Sequence, residues 1–131
     1  MRYLTDTDWL IDALLGLPTA VRALDRHRND GLGVSIISAG EVYEGAFVAP
    51  DPPTRLATYR QFLSAFATVP LSHPVMERFA GLRAQLRSQG NLIPDLDLLI
   101  ASTALEHDLT ILTRNITHFA RIPHLELYEH N

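Results

Sequence analysis

The apolar positions of this chain change period along its length. Short β-branched and aromatic runs alternate with longer stretches in which apolar residues recur every three or four positions. That alternation predicts an α/β domain with a parallel sheet, each strand followed by a crossover helix. Residues 2–6 read as a first strand ending at Asp6, and a short helix follows from about Trp9. A second helix runs from Pro18 to about Asn29, with Val21 and Leu24 inward and Gly31 as its stop. The β-rich run Val34-Ser35-Ile36-Ile37 reads as a buried strand. Ser38 and Glu41 then have the Ser-x-x-Glu spacing of a capping box, which starts a third helix there with Glu41 in its first turn.

Pro50-Asp51-Pro52-Pro53 breaks that helix, and Asp51 is placed to cap a fourth, whose apolar face is Leu56, Tyr59, Leu63 and Phe66. Val69-Pro70-Leu71 predicts an edge strand, because proline cannot donate to a ladder. Ser72 and Pro74 open a fifth helix with Val75, Phe79, Leu82 and Leu86 as its stripe, and Gly90 ends it. A sixth helix, from Asp95 to about His107, is apolar on more than one side, which calls for packing on two faces, in the core or against a second subunit. Leu109–Thr113 reads as a strand, Asn115–Phe119 as a short helix or turn, and Leu125–Tyr128 as a last strand. No repeat, low-complexity tract or linker divides residues 1–131, so one domain is expected.

Composition narrows the chemistry. Apolar residues make up 47% and charged residues 20%, an ordinary globular balance. There is no cysteine, which excludes disulfide scaffolds, zinc–thiolate sites and thiol nucleophiles. All 11 basic residues are arginine, and the absence of lysine excludes the phosphate-loop NTPases. A formal net charge of −4 argues against strong non-specific adhesion to nucleic acid, but a nuclease built from carboxylates and cations is compatible with it. Asp6 interrupts the N-terminus early and no apolar run reaches the ~18–20 residues of a membrane span, so the expected location is cytoplasmic.

The acids fall in a pattern. Asp6 ends the first strand, Glu41 and Asp97 lie near the starts of helices, and Asn115 lies just past the Leu109–Thr113 strand. In an open parallel sheet these positions share the carboxyl end, where ligands bind. Three carboxylates about 5 Å apart repel by about 3 kcal/mol per pair at an effective dielectric near 20. Protonation or a shared cation must offset this, and a hard oxygen-liganded cation such as Mg²⁺ or Mn²⁺ suits the donors better than zinc.

Four segments carry a resemblance to the PIN-domain nucleases, in particular the VapC-type toxins. They are Tyr3-Leu4-Thr5-Asp6-Thr7-Asp8, Ile36 through Gly45, Ile93 through Ala101, and Leu112-Thr113-Arg114-Asn115 followed by His118-Phe119. The resemblance spans nearly the whole chain. It implies a three-layer α/β/α sandwich around a five-stranded, mainly parallel sheet, and a Mg²⁺-dependent endoribonuclease in which Mn²⁺ can substitute. Asp6, Glu41 and Asp97 match the family's three main acidic positions. Asn115 stands where many members carry a fourth acid, and Asp8 where members commonly have Asn or Ser. On this reading Asp6 and Asp97 bind the cation, Glu41 binds through water or acts as base, and Asn115 orients the attacking water or holds a weak second ion. Thr7, Ser38 and Thr113 are candidates to orient these groups. Asp8 either joins the site or caps the first helix. Asp95 is assigned to capping, with a lesser chance of touching a second metal, since two residues along a helix turn a side chain about 200° away from Asp97. Arg114 is a candidate RNA contact. The family further implies a homodimer and a cognate VapB-type antitoxin, with DNA reached only through that antitoxin. Tyr43, Phe47, Tyr59 and Phe62 are candidates for the antitoxin groove.

Plainer readings stand beside these. A capping box alone explains Glu41, a helix dipole alone explains Asp97, and a turn alone explains Asn115. His73, His107, His118, His124 and His130 show no ligand spacing and read as surface or packing residues, while Arg78, Arg83 and Arg87 read as a solvated helix face. Rival functions are a haloacid-dehalogenase-like phosphatase, from the pair Asp6 and Asp8, a receiver domain, and a catalytically inactive PIN-fold binding module. The first two families rely on a downstream basic residue or a lysine, and no lysine is present.

Overall fold

Four short parallel strands lie in the order β3-β2-β1-β4. They are β1 (Tyr3–Thr5), β2 (Leu32–Ser35), β3 (Ala67–Val69) and β4 (Thr110–Leu112). The structure, a computed structural model, describes residues 1–128, so His130 lies outside it. A fifth segment pairs where a last strand was expected, but only as one parallel bridge between Leu127 and Ile111. Ile111 N–H donates to Glu126 O and Tyr128 N–H to Ile111 O. The chain turns at His124, with φ of 66°, immediately before this segment, which leaves few residues aligned with β4.

The helices are α1 (Thr7–Leu14), α2 (Pro18–His27), α3 (Ile36–Phe47), α4 (Pro52–Leu63), α5 (His73–Ser88), α6 (Asp95–Glu106) and α7 (Ile116–Phe119). A 3₁₀ turn at Arg28–Asp30 follows α2 and ends on Gly31, whose φ of 91° favours glycine. Two starts differ from the sequence expectation because a different side chain caps the helix. Asp6 is the N-cap of α1, so that helix begins at Thr7, before Trp9. Ser35 caps α3 by accepting the Ser38 amide at 3.0 Å. Ile36 and Ile37 therefore belong to the helix and not to the strand, the capping box at Ser38 does not form, and Glu41 sits in the second turn. Asp51 is the residue before α4, but its carboxylate accepts from the Thr54 hydroxyl instead of a backbone amide. Pro94, not Asp95, occupies the N-cap position of α6.

Alternation along the strands sets the layers. Leu4 and Ile111 point into a cluster with Leu86 of α5, Leu98, Ile100, Ala101 and Ala104 of α6, and Phe119 of α7. Their neighbours Tyr3 and Leu112 point the other way, into a cluster with Trp9 of α1 and Ala20, Ala23 and Leu24 of α2. A third cluster joins Leu10, Val34, Ala39, Val42 and Leu63, with Tyr59 and Phe66 packed against it. The sheet is thus covered by α1–α4 on one face and α5–α7 on the other. Most apolar residues of α6 enter this core while Leu96 stays exposed, and Tyr59, Leu63 and Phe66 of the α4 stripe are core as well. Among the described residues, no helix is long and apolar enough to cross a membrane.

Candidate active site

The chain runs outward from β1 to β2 and β3 on one side and returns to place β4 on the other. The carboxyl ends of β1 and β4 therefore flank the point where strand order reverses, the usual ligand position in such sheets. The ladder continues one step past β1, where Asp6 N–H donates to Leu112 O at 2.9 Å. This pins the Asp6 backbone, and its side chain is 5% exposed. Oδ1 accepts from the Thr7 amide at 2.8 Å. Oδ2 accepts from the Thr113 hydroxyl at 2.7 Å, and that hydroxyl oxygen accepts from the Asn115 amide at 2.9 Å. Burial pushes the Asp6 carboxyl up to about 7; the Thr113 and Thr7 donors lower it, while the charges of Asp8 and Asp97 raise it further.

Glu41 reaches the same end of the sheet from the second turn of α3. The Thr7 hydroxyl donates to its Oε1 at 2.6 Å. Freed from capping, the carboxylate is half-buried and tied across to the start of α1. Ser38 is fully buried, and its hydroxyl has no hydrogen-bond partner among the described residues.

The third corner combines α6 with the turn into α7. Asp97 Oδ2 lies 2.8 Å from His118 Nδ1 and 3.3 Å from Asn115 Nδ2, and the last two atoms are 2.8 Å apart. His118 was read from sequence as a surface or packing residue, yet it touches Asp97 directly. The missed signal is the spacing Asn-x-x-His: three residues apart on a helical turn share a face.

The remaining candidates relate to this centre in different ways. Asp8 is no helix cap: its Oδ2 accepts the Arg114 amide at 3.0 Å. Burial raises its pKa, and the Arg114 hydrogen bond opposes that rise. The Arg114 guanidinium is exposed and reaches Asp12 at 3.2 Å. Asp95 points away from Asp97 and pairs with Arg83 of α5 at 2.9 Å, so it neither caps α6 nor joins the centre. Arg78 likewise pairs with Glu106, so part of the arginine face clamps α5 to α6. Tyr43, Tyr59 and Phe62 are half-buried against the third core cluster, and Phe47 is exposed. Beside them, exposed Ile11 and Leu15 line a cleft of about 160 Å³ with Leu14, Val42 and Tyr59.

These residues fit a divalent cation. A buried carboxylate held near neutrality by desolvation and by two neighbouring acids calls for positive charge, and oxygen donors suit a hard cation. Among the described residues, no three His, Asp or Glu side chains form a ready cage. The Asp97 corner brings an amide and an imidazole to the carboxylate.

The family model for the PIN domain matches residues 3–125. The chain is 32% identical to ribonuclease VapC19 of Mycobacterium tuberculosis across 94% of this chain and 96% of that one. It is 26% identical to ribonuclease VapC2 of Haemophilus influenzae, covering 93% and 92%. Among solved structures it is similar to VapBC2 from Rickettsia felis bound to a promoter DNA fragment, with a TM-score of 0.91, 26% identity and full coverage of both chains. A toxin–antitoxin complex from Klebsiella pneumoniae aligns with a TM-score of 0.75 and 30% identity over 93% of each chain.

Proposed function

The chain belongs to the PIN-domain family, and we propose that it is a single-domain, divalent-metal-dependent endoribonuclease, the toxin of a VapBC-type pair. The observation that carries this reading is Asp6, a carboxylate buried at the sheet's switch point and raised to about 7, with the charge of Asp97 bearing on it. Relatives named ribonuclease VapC supply the substrate class.

Asp6 and Asp97 would hold Mg²⁺ or Mn²⁺, with Glu41 and Asn115 beside them. When bound, such a cation lowers the pKa of a water and neutralises charge on a phosphoryl group. Thr7 keeps one Glu41 oxygen engaged and leaves the other to accept a proton from the attacking water. Thr113 holds Asp6 Oδ2 and, through the Asn115 amide, fixes the turn that carries the third corner. Arg114, on the rim, would exchange its contact with Asp12 for an RNA phosphate.

The Rickettsia felis and Klebsiella pneumoniae structures are toxin–antitoxin assemblies, and this reading gives the chain an antitoxin as well. The apolar cleft beside Tyr59 fits a partner's amphipathic segment, and Phe47, exposed on the helix that supplies Val42 to the cleft, is a further candidate contact. A homodimer belongs to the same reading, and DNA would be met only through the antitoxin.

The test is RNA cleavage with Mg²⁺, with Mn²⁺ and with chelator, beside Asp6→Asn. Wild-type cleavage should require metal, and the variant should lose about 100-fold or more, the scale of losing a principal charge-stabilising group. Equal cleavage by both proteins would sink the assignment of Asp6.

A further inference from the structure

Asp97 Oδ2, Asn115 Nδ2 and His118 Nδ1 form a triangle with edges of 2.8, 2.8 and 3.3 Å. With the Asn115 NH₂ turned toward His118, hydrogen counting does not close it. If Nδ1 carries a proton and donates it to Asp97, the Asn115 NH₂ meets a second donor at 2.8 Å. If Nδ1 is a lone pair accepting from Asn115, it meets the Asp97 carboxylate lone pair at 2.8 Å. Rotating the Asn115 amide by 180° exchanges oxygen for nitrogen at the same place. A proton on Nδ1 then closes the triangle by donating to both oxygens, and a cation that takes the place of that proton meets three lone pairs, from a carboxylate oxygen, an amide oxygen and an imidazole nitrogen.

Three lone pairs at this spacing describe one face of an octahedral cation. With metal–ligand bonds of about 2.1 Å, ligands in cis positions stand about 3.0 Å apart, which is the mean size of this triangle. We propose that His118 Nδ1 is a metal ligand, completing a facial set with Asp97 Oδ2 and Asn115 Oδ1. This rests on the metal-dependent reading above and deepens it, because one donor becomes nitrogen. His118 is part-buried, its side chain 33% exposed, so it is open to an incoming ion and still held by α7. An imidazole donor shifts preference away from Mg²⁺ toward the later first-row cations. The chain thus discriminates among divalent ions by a residue outside its acidic set.

The experiment uses the whole chain loaded with Mn²⁺ and pulsed electron paramagnetic resonance. Wild type should show a directly bound nitrogen that responds to ¹⁵N-histidine labelling. His118→Ala should lose that signal, which assigns it against the other histidines. His118→Gln, of similar size and with an oxygen donor, should keep the fold and also lack the nitrogen. In titrations, His118→Ala should weaken Co²⁺ binding by about tenfold or more, at least the loss seen for outer partners of metal sites, and weaken Mg²⁺ binding less. No nitrogen coupling in wild type would overturn the proposal. So would equal loss of Co²⁺ and Mg²⁺ affinity, which makes His118 only a group that positions Asp97. RNA cleavage by the same samples judges the nuclease reading separately: nitrogen ligation without cleavage leaves this inference standing and removes that one.

Discussion

Asp6 and Asp97 lie close enough for the charge of one to bear on the other, yet they sit on two kinds of scaffold. Asp6 hangs from the end of a central strand, is buried, and receives one donor on each oxygen, from the Thr7 amide and the Thr113 hydroxyl. Asp97 sits in the first turn of α6, is more open, and shares one oxygen with an amide and an imidazole from the turn after β4. One side is wired by fixed donors; the other is assembled from groups that can share a proton or a cation. On the proposed reading, a centre made this way would fix one ligand in advance and let an ion order the rest.

The largest expected effect lies on the wired side. Because Asp6 is raised from 3.8 to about 7, the folded, metal-free protein holds a proton that the unfolded chain releases. Its contribution to stability is full below the ordinary carboxylate range and is lost as pH rises toward 7, by up to about 1.4 kcal/mol per pH unit. Asp8 is raised as well and adds in the same direction. Denaturation in chelator should therefore show stability falling between about pH 4 and 7 from these groups. Asp6→Asn should flatten most of that slope, while Asp97→Asn should retain it. A wild-type slope that Asp6→Asn leaves intact would place the proton elsewhere.

Thr113→Val comes next. It removes the donor to Asp6 Oδ2 and strands the Asn115 amide, which accounts for about 1–3 kcal/mol of stability. It should also reduce cleavage by about 10–100-fold, as outer partners of metal ligands do. Thr113→Ser keeps the hydroxyl and should recover most of the cleavage. If valine is tolerated in both assays, the two sides are not linked through this residue.

The difference between the sides also explains what the sequence revealed. Asp6 was legible because a buried strand ending on an acid is unusual, and strand periodicity placed it at the functional end of the sheet. Asp97 and Asn115 were legible from helix and strand boundaries, as was the opposite orientation of Asp95, since helix geometry fixes that angle. Glu41 was found for a partly wrong reason. Ser35, not Ser38, caps α3, so the helix starts two residues into what looked like a strand. Ile36-Ile37 has strand propensity, and a single cap hydrogen bond overrode it. The last strand is shorter than its pattern for a similar reason: apolar alternation in Leu125–Tyr128 does not reveal that the turn at His124 leaves one bridge. The contact of His118 with Asp97 was not legible because it comes from α6, distant in sequence, closing onto the turn after β4.

Thr7→Val probes the link from the wired side to Glu41. The 2.6 Å hydroxyl contact is part-buried, so its loss should cost about 0.5–1.5 kcal/mol. Cleavage should drop by about tenfold as Glu41 gains freedom, with the fall in turnover and not in substrate affinity. An unchanged rate would release Glu41 from its assigned role as the proton acceptor.

The smallest effect is expected where α6 carries its other acid. Asp95 is 60% exposed and pairs with Arg83 across to α5. Exposed pairs of this kind contribute about 0–1 kcal/mol, so Arg83→Ala and Asp95→Asn should each lower stability by no more than that. Their double variant should reveal a coupling of similar size, because each removes the same contact. Cleavage should stay within about twofold of wild type, since the pair lies on the side of α6 turned away from Asp97. Comparison with Asp97→Asn, two residues along the same turn, then isolates position from charge: both changes remove one carboxylate from the start of α6, and both weaken its helix-dipole complement alike. Loss of cleavage at Asp97 alone would tie activity to the triangle with Asn115 and His118, whereas equal loss at Asp95 would make the negative charge of the whole helix start the operative quantity.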